Sequence, residues 1–395
     1  MLNKEKTYIF FSRNTDDSTK EIILRLAGVP ATQRYDKYLG LLALVGKSRI
    51  REFQSKKDRV RNRVSDWKTK FLSQAGKEVL LKVVVQAIPT YSMSLFLLPK
   101  SFCKEINFIM QRFWWGHKEN DRKIHWMSWE SLGRCKAQGG LGFRDLVCFN
   151  ITLLAKQGWR IIQNPEGLVA TILKAKYYPH GTFLEAEEGT RPSLAWRSIL
   201  AANGLIKEGL IWRIGDGNSV AIWRDSWLPR PTSYKVQSPC RLLNVEDRVS
   251  ALIDASTTSW NTSLVREIFD PDEADVICNM AISKYGQCDA LLWRGTLNGN
   301  FSIKSAYYME LSRKQKEFGK ASSPLNEEGL WKDIWKLKIT NSTKTFLWRA
   351  CSDILPSKAK LARKGVMDKD TCDLCGREAE TAIHALWSCP AAQDV

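Results

Sequence analysis

The most constraining feature of this sequence is a set of three cysteines and one histidine near its C-terminal end. Cys372 and Cys375 are separated by two residues, and His384 and Cys389 follow a short distance later. Two thiolates at this spacing can bind one metal ion from a tight turn, for which Gly376 is suited, and a short helix can direct the other two side chains to the same ion. Four such ligands complete a tetrahedral Zn²⁺ site without a position for water. The set therefore predicts a structural zinc site.

Two other interpretations of these four residues stay open from sequence. A redox-active Cys-x-x-Cys pair follows a strand and begins a helix, whereas residues 364–371 are polar and typical of a loop. The four side chains could also be unrelated buried residues. The remaining cysteines show no ligand spacing and are interpreted as core thiols: Cys103, Cys135, Cys148, Cys240, Cys278, Cys288 and Cys351. No ligand role is assigned to His117, His125 or His180.

Positive charge is concentrated in one block of the chain. The 60 Lys and Arg residues exceed the 42 Asp and Glu residues, and the formal charge of +18 favours a polyanionic partner such as nucleic acid. Residues 47–82 hold twelve basic residues against four acids. Apolar residues recur in this block at helical spacing and predict a helix with its cations on the other face. They are Phe53, Val60, Val64, Trp67 and Phe71.

Basic side chains of this block are candidate contacts to the phosphates of RNA or DNA. Such contacts bind nucleic acid with little sequence preference. The alternative is an ordinary helix whose charged face is solvated. The candidates are Lys56, Lys57, Arg59, Arg61, Arg63, Lys68, Lys70 and Lys77.

The patterning as a whole predicts a mainly α-helical protein with small β hairpins, an α+β architecture. Apolar positions in residues 102–113 recur at helical spacing and predict an amphipathic helix. Residues 211–214 and 220–223 flank a glycine-rich segment, which predicts a hairpin. The 16 tryptophans mostly have apolar neighbours and are interpreted as core residues.

Length and hydropathy set further limits. A chain of 395 residues with 44% hydrophobic residues is long enough for two or three domains with sizeable cores. No stretch is long and apolar enough to span a membrane, and the first residues lack the apolar region of a signal peptide. Ten scattered cysteines do not form the pattern of a secreted disulfide framework. These features predict an intracellular protein, in the nucleus or the cytoplasm, without a membrane partner.

Several short motifs follow one another along the chain. They are residues 2–7 (LNKEKT), 38–40 (YLG), 67–68 (WK), 72–78 (LSQAGKE), 87–91 (AIPTY), 113–116 (FWWG), 139–142 (GGLG) and 212–217 (WRIGDG). In this order they resemble the downstream part of plant non-LTR (LINE-type) retrotransposon reverse transcriptases. The last segment, from about Phe301 through Trp331, Trp335, residues 346–349 (FLWR) and the Cys/His set, resembles the zinc-binding domain of that family.

The resemblance implies a role for the first residues of the chain. Tyr38, Leu39 and Gly40 match the primer-grip hairpin that holds the primer terminus, and Lys6 matches the basic position after the catalytic turn of the polymerase palm. In the family, palm aspartates upstream of that position hold two Mg²⁺ ions. The pair Asp16-Asp17 lacks the aromatic residue and the strand of a catalytic turn, and predicts a solvated turn. No catalytic residue is therefore assigned.

The resemblance and the residues together predict four segments. Residues 1–45 would be the end of the palm with the primer grip, and residues 46–116 a basic, helical, thumb-like region. Residues 117–290 would be a Trp-rich connection, and residues 291–395 the zinc-binding domain. The resemblance leads to the expectation that these 395 residues leave no room for the endonuclease or ribonuclease H domains of family members.

The function expected from these segments is that of a truncated reverse transcriptase. Such a fragment would bind template–primer RNA or DNA and one structural Zn²⁺, and would catalyse nothing alone. Three alternatives stay open. The chain could belong to an active RNA-directed DNA polymerase whose palm is encoded upstream, it could be a nucleic-acid-binding protein adopted by the host, or it could be a pseudogene remnant.

Overall fold

The structure is a computed structural model that describes residues 7–11, 14–32, 53–65, 71–116, 123–230, 233–240, 242–254, 256–282, 286–317 and 328–393. In these residues the protein is mainly α-helical with short antiparallel strand pairs, which confirms the predicted fold class. Some residues named above lie outside the described ranges: Lys6, Tyr38, Leu39, Gly40, Trp67, Lys68, Lys70 and His117.

Helices account for most of the regular structure. In chain order the described α-helices are α1 (Asp17–Ala27), α2 (Gln54–Ser65), α3 (Gln74–Val79), α4 (Thr90–Met93), α5 (Lys100–Trp114), α6 (Trp129–Gly133), α7 (Leu146–Gln163), α8 (Leu168–Tyr177), α9 (Leu194–Leu200), α10 (Asn203–Gly209), α11 (Thr262–Ile268), α12 (Pro271–Cys278), α13 (Ile303–Glu317), α14 (Glu328–Lys336), α15 (Asn341–Cys351), α16 (Lys358–Arg363) and α17 (Pro390–Gln393). π-Helical turns occupy Leu80–Val85 and His384–Ser388. None of the helices in the described ranges combines the length and the apolar character needed to cross a lipid bilayer.

The chain packs into two compact units. The first comprises Met1–Ser92, Leu98–Ser131 and Leu337–Val395, and the second comprises Met93–Leu97 and Leu132–Lys336. These boundaries follow packing and differ from those of the four expected segments. The division into palm end, thumb, connection and zinc-binding domain concerns function and stays a prediction.

The first unit has an aromatic and aliphatic core between α2 and α5. The ring of Phe53, just before α2, lies 5.7 Å from the ring of Phe102 on α5. Val60 on α2 and Ile106 and Met110 on α5 are also buried. The amphipathic helix predicted for residues 102–113 is therefore confirmed as α5, which ends at Trp114.

The prediction of a single helix over the basic block, residues 47–82, is wrong. α2 ends at Ser65, and α3 begins only at Gln74, where the hydroxyl of Ser73 accepts the Gly76 N–H at 3.2 Å. A helix that starts again at a new N-cap does not continue the spacing of the previous one. For this reason Phe71, which was expected on the apolar face, is 84% exposed.

The second unit is built around α7, which packs against α9, α10 and α13. Its core contains Trp159, Trp196 and Trp293, and the ring of Trp293 lies 5.9 Å from that of Trp159 at a near-perpendicular angle. Gly209 leaves room for this ring, because a Cβ there would lie 2.1 Å from an atom of Trp293. Among the described tryptophans only Trp387 is exposed, and core packing is confirmed for those that are buried: Trp114, Trp159, Trp196, Trp227, Trp260, Trp293, Trp331 and Trp348.

The strand pairing differs from the predicted hairpin. β1 (Leu210–Arg213) pairs antiparallel with β4 (Ala290–Trp293), and not with residues 220–223. The second pair is a short one, β2 (Ile253–Asp254) with β3 (Ser259–Trp260).

A side chain next to β4 explains why the hairpin does not form. The carboxylate of Asp289 accepts the backbone N–H groups of Gly215 at 2.7 Å, Gly217 at 3.0 Å and Ser219 at 2.8 Å. These bonds direct the glycine-rich loop toward β4. A contact so distant in sequence cannot be read from the local pattern.

Another carboxylate of this unit, that of Glu273, is buried. Glu273 on α12 accepts the N–H of Gln237 at 2.9 Å, the N–H of Ser238 at 3.0 Å and the Ser238 hydroxyl at 2.6 Å, and its Oε1 lies 3.3 Å from the Arg230 guanidinium. Burial alone would raise the pKa of Glu273, but these partners outweigh burial and hold the pKa below its usual value. Glu273 thus holds the loop of residues 233–238 against α12.

Candidate metal centre and basic surface

The first two cysteines lie in a compact turn. The Cys372 N–H donates to the Glu378 carbonyl at 2.8 Å, and the Gly376 N–H donates to the Cys372 carbonyl at 2.9 Å. Gly376 has a φ of +64°, a left-handed conformation that glycine adopts without steric cost. This turn holds Cys372 and Cys375 on the same side of the backbone.

The other two candidate ligands lie on the last helical segment. The hydroxyl of Thr381 accepts the His384 N–H at 3.0 Å, which caps the start of this segment. From His384 the backbone widens into a π-helical turn, in which the Cys389 N–H donates to the His384 carbonyl at 2.9 Å. Since π-helical bonds join residues five apart, this turn brings His384 and Cys389 to one face.

The four side chains converge on one point. Their ligand atoms all lie within 4.8 Å of one another, with the Cys375 Sγ 3.3 Å from the His384 Nε2 and the Cys372 Sγ 4.0 Å from the Cys389 Sγ. A tetrahedral Zn²⁺ with bonds of about 2.3 Å to sulfur and 2.0 Å to nitrogen needs ligand atoms roughly 3.5–3.8 Å apart. The donor set and its spacing therefore fit such an ion. Convergence also excludes the interpretation of four unrelated residues.

An acidic side chain orients the histidine. The Nδ1 of His384 lies 3.1 Å from the Oε2 of Glu378. A carboxylate at this nitrogen fixes the ring and leaves Nε2 to face the thiols, an arrangement common around metal-bound histidines. Sequence reasoning did not identify Glu378. The only available signal was its position two residues after Gly376, inside the turn.

The backbone of the turn also favours thiolates. The N–H groups of Arg377 and Glu378 lower the pKa of Cys375 to about 6, and the N–H of Cys375 lowers that of Cys372. Thiolates, and not thiols, bind metal ions. Cys389 differs, because burial raises the pKa of its thiol.

The redox interpretation finds no support in this geometry. A turn follows Cys375, and no helix begins at the Cys-x-x-Cys pair. The other cysteines are free, and Cys103 and Cys148 are buried as expected. The prediction of core thiols is wrong for Cys240, Cys288 and Cys351, which are exposed. In the described part of the chain, no second group of His, Cys, Asp or Glu side chains is close enough to hold a metal ion.

The candidate phosphate contacts that the structure describes lie on α2 and α3. Arg59, Arg61 and Arg63 on α2 are exposed, and Arg61 lies 3.7 Å from Asp58. Lys57 is directed elsewhere, since its ammonium lies 2.7 Å from Glu105. Lys56 and Lys77 are half-buried. A shallow depression of about 470 Å³ beside the arginines is lined by Ser55, Asp58, Arg59, Asn62 and Arg63.

The acidic pair near the start of the chain has a structural role. The Asp16 carboxylate accepts the Thr19 N–H at 3.0 Å and caps α1, and Asp17 forms an ion pair with Lys20 at 2.7 Å. Hydrogen bonds from Ser18 and Thr19 lower the pKa of Asp16. The expected solvated turn is therefore the start of a helix.

Comparisons with known proteins agree with this geometry. Residues 301–395 match the family described as zinc-binding in reverse transcriptase. An uncharacterized mitochondrial protein of Arabidopsis thaliana is 48% identical over 143 residues, which cover 36% of this chain and 93% of that protein. A putative ribonuclease H protein of the same plant is 28% identical over 358 residues, which cover 85% of this chain. The match spans 53%, about half, of that longer relative.

Proposed function

Since the chain belongs to the plant retrotransposon-derived reverse transcriptases and matches their C-terminal region with its zinc-binding domain, we propose that it binds the template–primer duplex of that reaction. It does so through backbone phosphates and without polymerase chemistry of its own. A structural Zn²⁺ ion holds its C-terminal end together.

The three exposed arginines of α2 carry this proposal. A helix that buries Val60 and leaves Arg59, Arg61 and Arg63 in water directs several guanidinium groups away from the core. Guanidinium groups bind phosphate oxygens in a two-pronged geometry, independent of base sequence. The formal charge of +18 adds a long-range attraction for any polyanion.

The Cys₃His set is assigned to Zn²⁺ with a structural role. Cys372, Cys375, His384 and Cys389 supply the four ligands of a closed tetrahedral site, as expected of a domain described as zinc-binding. A closed site leaves no position for substrate or water. The ion would therefore contribute folding free energy and not chemistry.

The proposal assigns no polymerase chemistry to this chain. Asp16 and Asp17 are the adjacent acidic pair that most resembles a catalytic turn, and they cap and flank α1 instead. Two-metal chemistry needs carboxylates that hold two ions about 3.5–4 Å apart. The polymerase acids would have to come from another polypeptide segment.

A second candidate function is that of a subunit or segment of an active polymerase. α1 has no buried residue, and it exposes Ile22 (59%) and Leu26 (83%) to solvent. An exposed apolar helix face is typical of a surface that packs against another protein segment. An upstream polymerase domain, which the resemblance to reverse transcriptases implies, would be such a segment.

Removal of the α2 arginines tests the proposed function. In the full chain, the triple substitution Arg59→Gln, Arg61→Gln, Arg63→Gln is expected to weaken binding to a fluorescein-labelled RNA–DNA hybrid by about a hundredfold or more at roughly 0.1 M salt, since each lost phosphate contact removes about 0.9 from the salt slope. Fluorescence anisotropy at several salt concentrations measures both the affinity and the slope.

A matched control keeps the same change in net charge. Arg224 and Arg266 are exposed and Arg197 is half-buried, and the three lie within 3.3 Å of Glu246, Asp275 and Glu188. Their replacement by Gln should change duplex affinity much less than the α2 substitutions. Equal losses of affinity in both triple variants would mean that the overall charge of the protein causes the effect. That result would contradict a binding role of α2.

Primer extension tests whether this chain has polymerase chemistry of its own. The full chain, incubated with a primed RNA template, Mg²⁺ and deoxynucleotides, should bind the duplex without extending the primer. Extension by this chain alone would overturn the assignment of a binding protein without polymerase chemistry.

A further inference from the structure

The metal module, residues 370–393, exposes four large apolar side chains. Leu374, Ile383, Leu386 and Trp387 all face solvent, and Trp387 is 78% exposed. Each of them lies within two residues of a candidate zinc ligand, so the ligand cluster holds all four close to one another along the backbone. These four side chains are called the Trp387 surface below.

The last helical segment has an inner and an outer side. Its two candidate ligands and Ala382 are buried, whereas its three members of the Trp387 surface are exposed. These three are three and four residues apart, a spacing that places side chains on one helical face. The Cys375 Sγ lies 3.3 Å from the His384 Nε2, which brings the turn that carries Leu374 next to this segment. The module therefore turns its ligands inward and the Trp387 surface outward.

The packing of the protein does not account for the exposed indole. In the described residues the Trp387 ring makes no hydrogen bond, ring contact or cation–π contact, and only its backbone carbonyl is engaged, by the side-chain amide of Gln393 at 3.3 Å. All other described tryptophans are buried or half-buried. A large apolar side chain held in water next to three others is typical of a binding surface.

Exposed cations accompany the Trp387 surface. Lys358 and Lys360 form ion pairs with aspartates. The other basic side chains of residues 358–380 are exposed and form no ion pair with a described residue: Arg363, Lys364, Lys369 and Arg377. Arg377 lies in the same turn as Leu374, three residues further along the chain.

Most acids of the same range are already engaged. Asp373 pairs with a lysine, Glu378 lies against the candidate ligand His384, and Glu380 accepts the Lys358 N–H at 3.2 Å. Only two exposed acids are left, at positions 368 and 370. The four unpaired cations therefore outnumber them, and the surroundings of the Trp387 surface favour an anionic partner.

These two properties select single-stranded nucleic acid as the partner. A second copy of this chain would carry the same charge of +18 and would be repelled. In a duplex the faces of the bases are covered by their neighbours, whereas an unpaired base can stack on an exposed aromatic ring while the phosphates of its strand contact cations.

We propose that the Trp387 surface binds unpaired bases of a single-stranded nucleic acid, with the indole of Trp387 as the stacking platform and Arg377 as a contact to the adjacent phosphate. The inference rests on the proposed function and assigns the single-stranded template next to the duplex to the metal module. The zinc ligands hold the turn and the helical segment together, and the strand binds to their outer side.

Substitution of Trp387 tests the proposal in the full chain. The probe is a fluorescein-labelled oligouridylate, an RNA that forms no duplex with itself, and anisotropy measures its affinity. Trp387→Leu keeps an apolar side chain but removes the aromatic face, and is expected to weaken binding by about five- to a hundredfold, the effect of losing one stacked base. Trp387→Phe retains a ring and should retain most of the affinity.

Tyr308 provides the matched control. Its ring is exposed on α13, in the second unit and outside the metal module. Tyr308→Leu should leave the affinity for the oligouridylate nearly unchanged. Zinc content checks the fold of the variants, since Trp387→Leu should still hold about one zinc per chain.

Iodide quenching of tryptophan fluorescence gives a second measurement on the unmodified protein. Iodide reaches exposed indoles, so bound oligouridylate should reduce quenching in the wild type. The reduction should be much smaller in Trp387→Phe, which lacks this indole. If Trp387→Leu loses its zinc, the protection of Trp387 in the wild type decides the test. Absence of protection at saturating RNA would overturn the proposal.

The other outcomes separate this surface from the proposed function. Binding of the RNA–DNA hybrid without binding of the oligouridylate would overturn the Trp387 surface and leave the proposed function intact. Oligouridylate binding that depends on the ring at position 387, without binding of the hybrid, would support the surface and contradict the proposed function. Equal affinity of wild type and Trp387→Leu for the oligouridylate, or a wild-type dimer that Trp387→Leu converts to a monomer, would overturn the stacking role.

Discussion

Replacement of Cys372 by serine is expected to abolish metal binding and to unfold the end of the chain. The Cys372 Sγ is one of four ligand atoms within 4.8 Å of one another, and the turn around it depends on backbone bonds of Cys372 to Glu378 and Gly376. In small zinc modules the binding free energy, of about 10–16 kcal/mol, is the folding free energy. Loss of one thiolate therefore removes most of the stabilisation of residues 370–393.

Two measurements detect the loss of metal binding and of structure in the Cys372→Ser chain. Elemental mass spectrometry of the full wild-type chain should find about one zinc per molecule, and the Cys372→Ser chain should contain almost none. Hydrogen exchange should be slow at the N–H groups of Cys372 and Cys389 in the wild type and fast in the variant, because both groups donate within the module. Removal of zinc from the wild type by a chelator should have the same effect.

Cys351 provides the matched control. It belongs to the same unit, but its thiol is exposed and lies outside the ligand cluster. Cys351→Ser should therefore retain the metal and the slow exchange. A Cys372→Ser chain that kept a full complement of zinc, or a metal-free wild type that stayed protected, would contradict the assignment of these ligands.

Replacement of Glu273 by glutamine is expected to destabilise the second unit by about 3–5 kcal/mol. This is the usual cost of removing one partner of a buried ion pair. The carboxylate is 1% exposed and accepts two backbone N–H groups and the Ser238 hydroxyl. Glutamine has nearly the same shape but would direct N–H groups toward some of these donors. Urea unfolding followed by tryptophan fluorescence measures the loss, since Trp227 and Trp260 lie in the same core.

The pH dependence of this effect has a defined sign. The folded pKa of Glu273 lies below its ordinary value of 4.5, so its stabilisation is present above pH 4.5 and is lost as the pH falls through the folded pKa. The difference in unfolding free energy between wild type and Glu273→Gln should therefore shrink below about pH 4.5. A difference that stays constant down to pH 2 would contradict this origin.

The neighbouring Asp272 is the control. Its carboxylate lies 3.9 Å from the same Arg230 guanidinium, but its side chain is 87% exposed. Exposed ion pairs contribute about 0–1 kcal/mol, so Asp272→Asn should change the unfolding free energy little. Equal losses in the two variants would mean that burial of Glu273 is not the cause.

Features set by local chemistry could be predicted from the sequence. The four candidate zinc ligands lie close together along the chain, so their convergence follows from one turn and one helical segment. α5 was also predictable, because an amphipathic pattern needs only helical geometry to place Phe102 and Ile106 in a core. The resemblance added the order of the motifs, which no single residue could indicate.

Features set by distant contacts could not be predicted. β1 pairs with β4 and not with the next apolar segment, because Asp289 accepts the N–H groups of the loop in between. Glu378 is chemically ordinary until the turn places it against His384. Each of these contacts depends on the fold.

The central claim is that this chain binds a template–primer duplex through its backbone phosphates, and a salt titration of binding tests it most directly. Three phosphate contacts, one from each of the α2 arginines, predict a slope of about −2.7 for the logarithm of affinity against the logarithm of salt concentration. The affinity of the full chain for an RNA–DNA hybrid should therefore fall about fortyfold between roughly 50 and 200 mM salt. An affinity that does not change over this range, or no binding at low salt, would contradict the account.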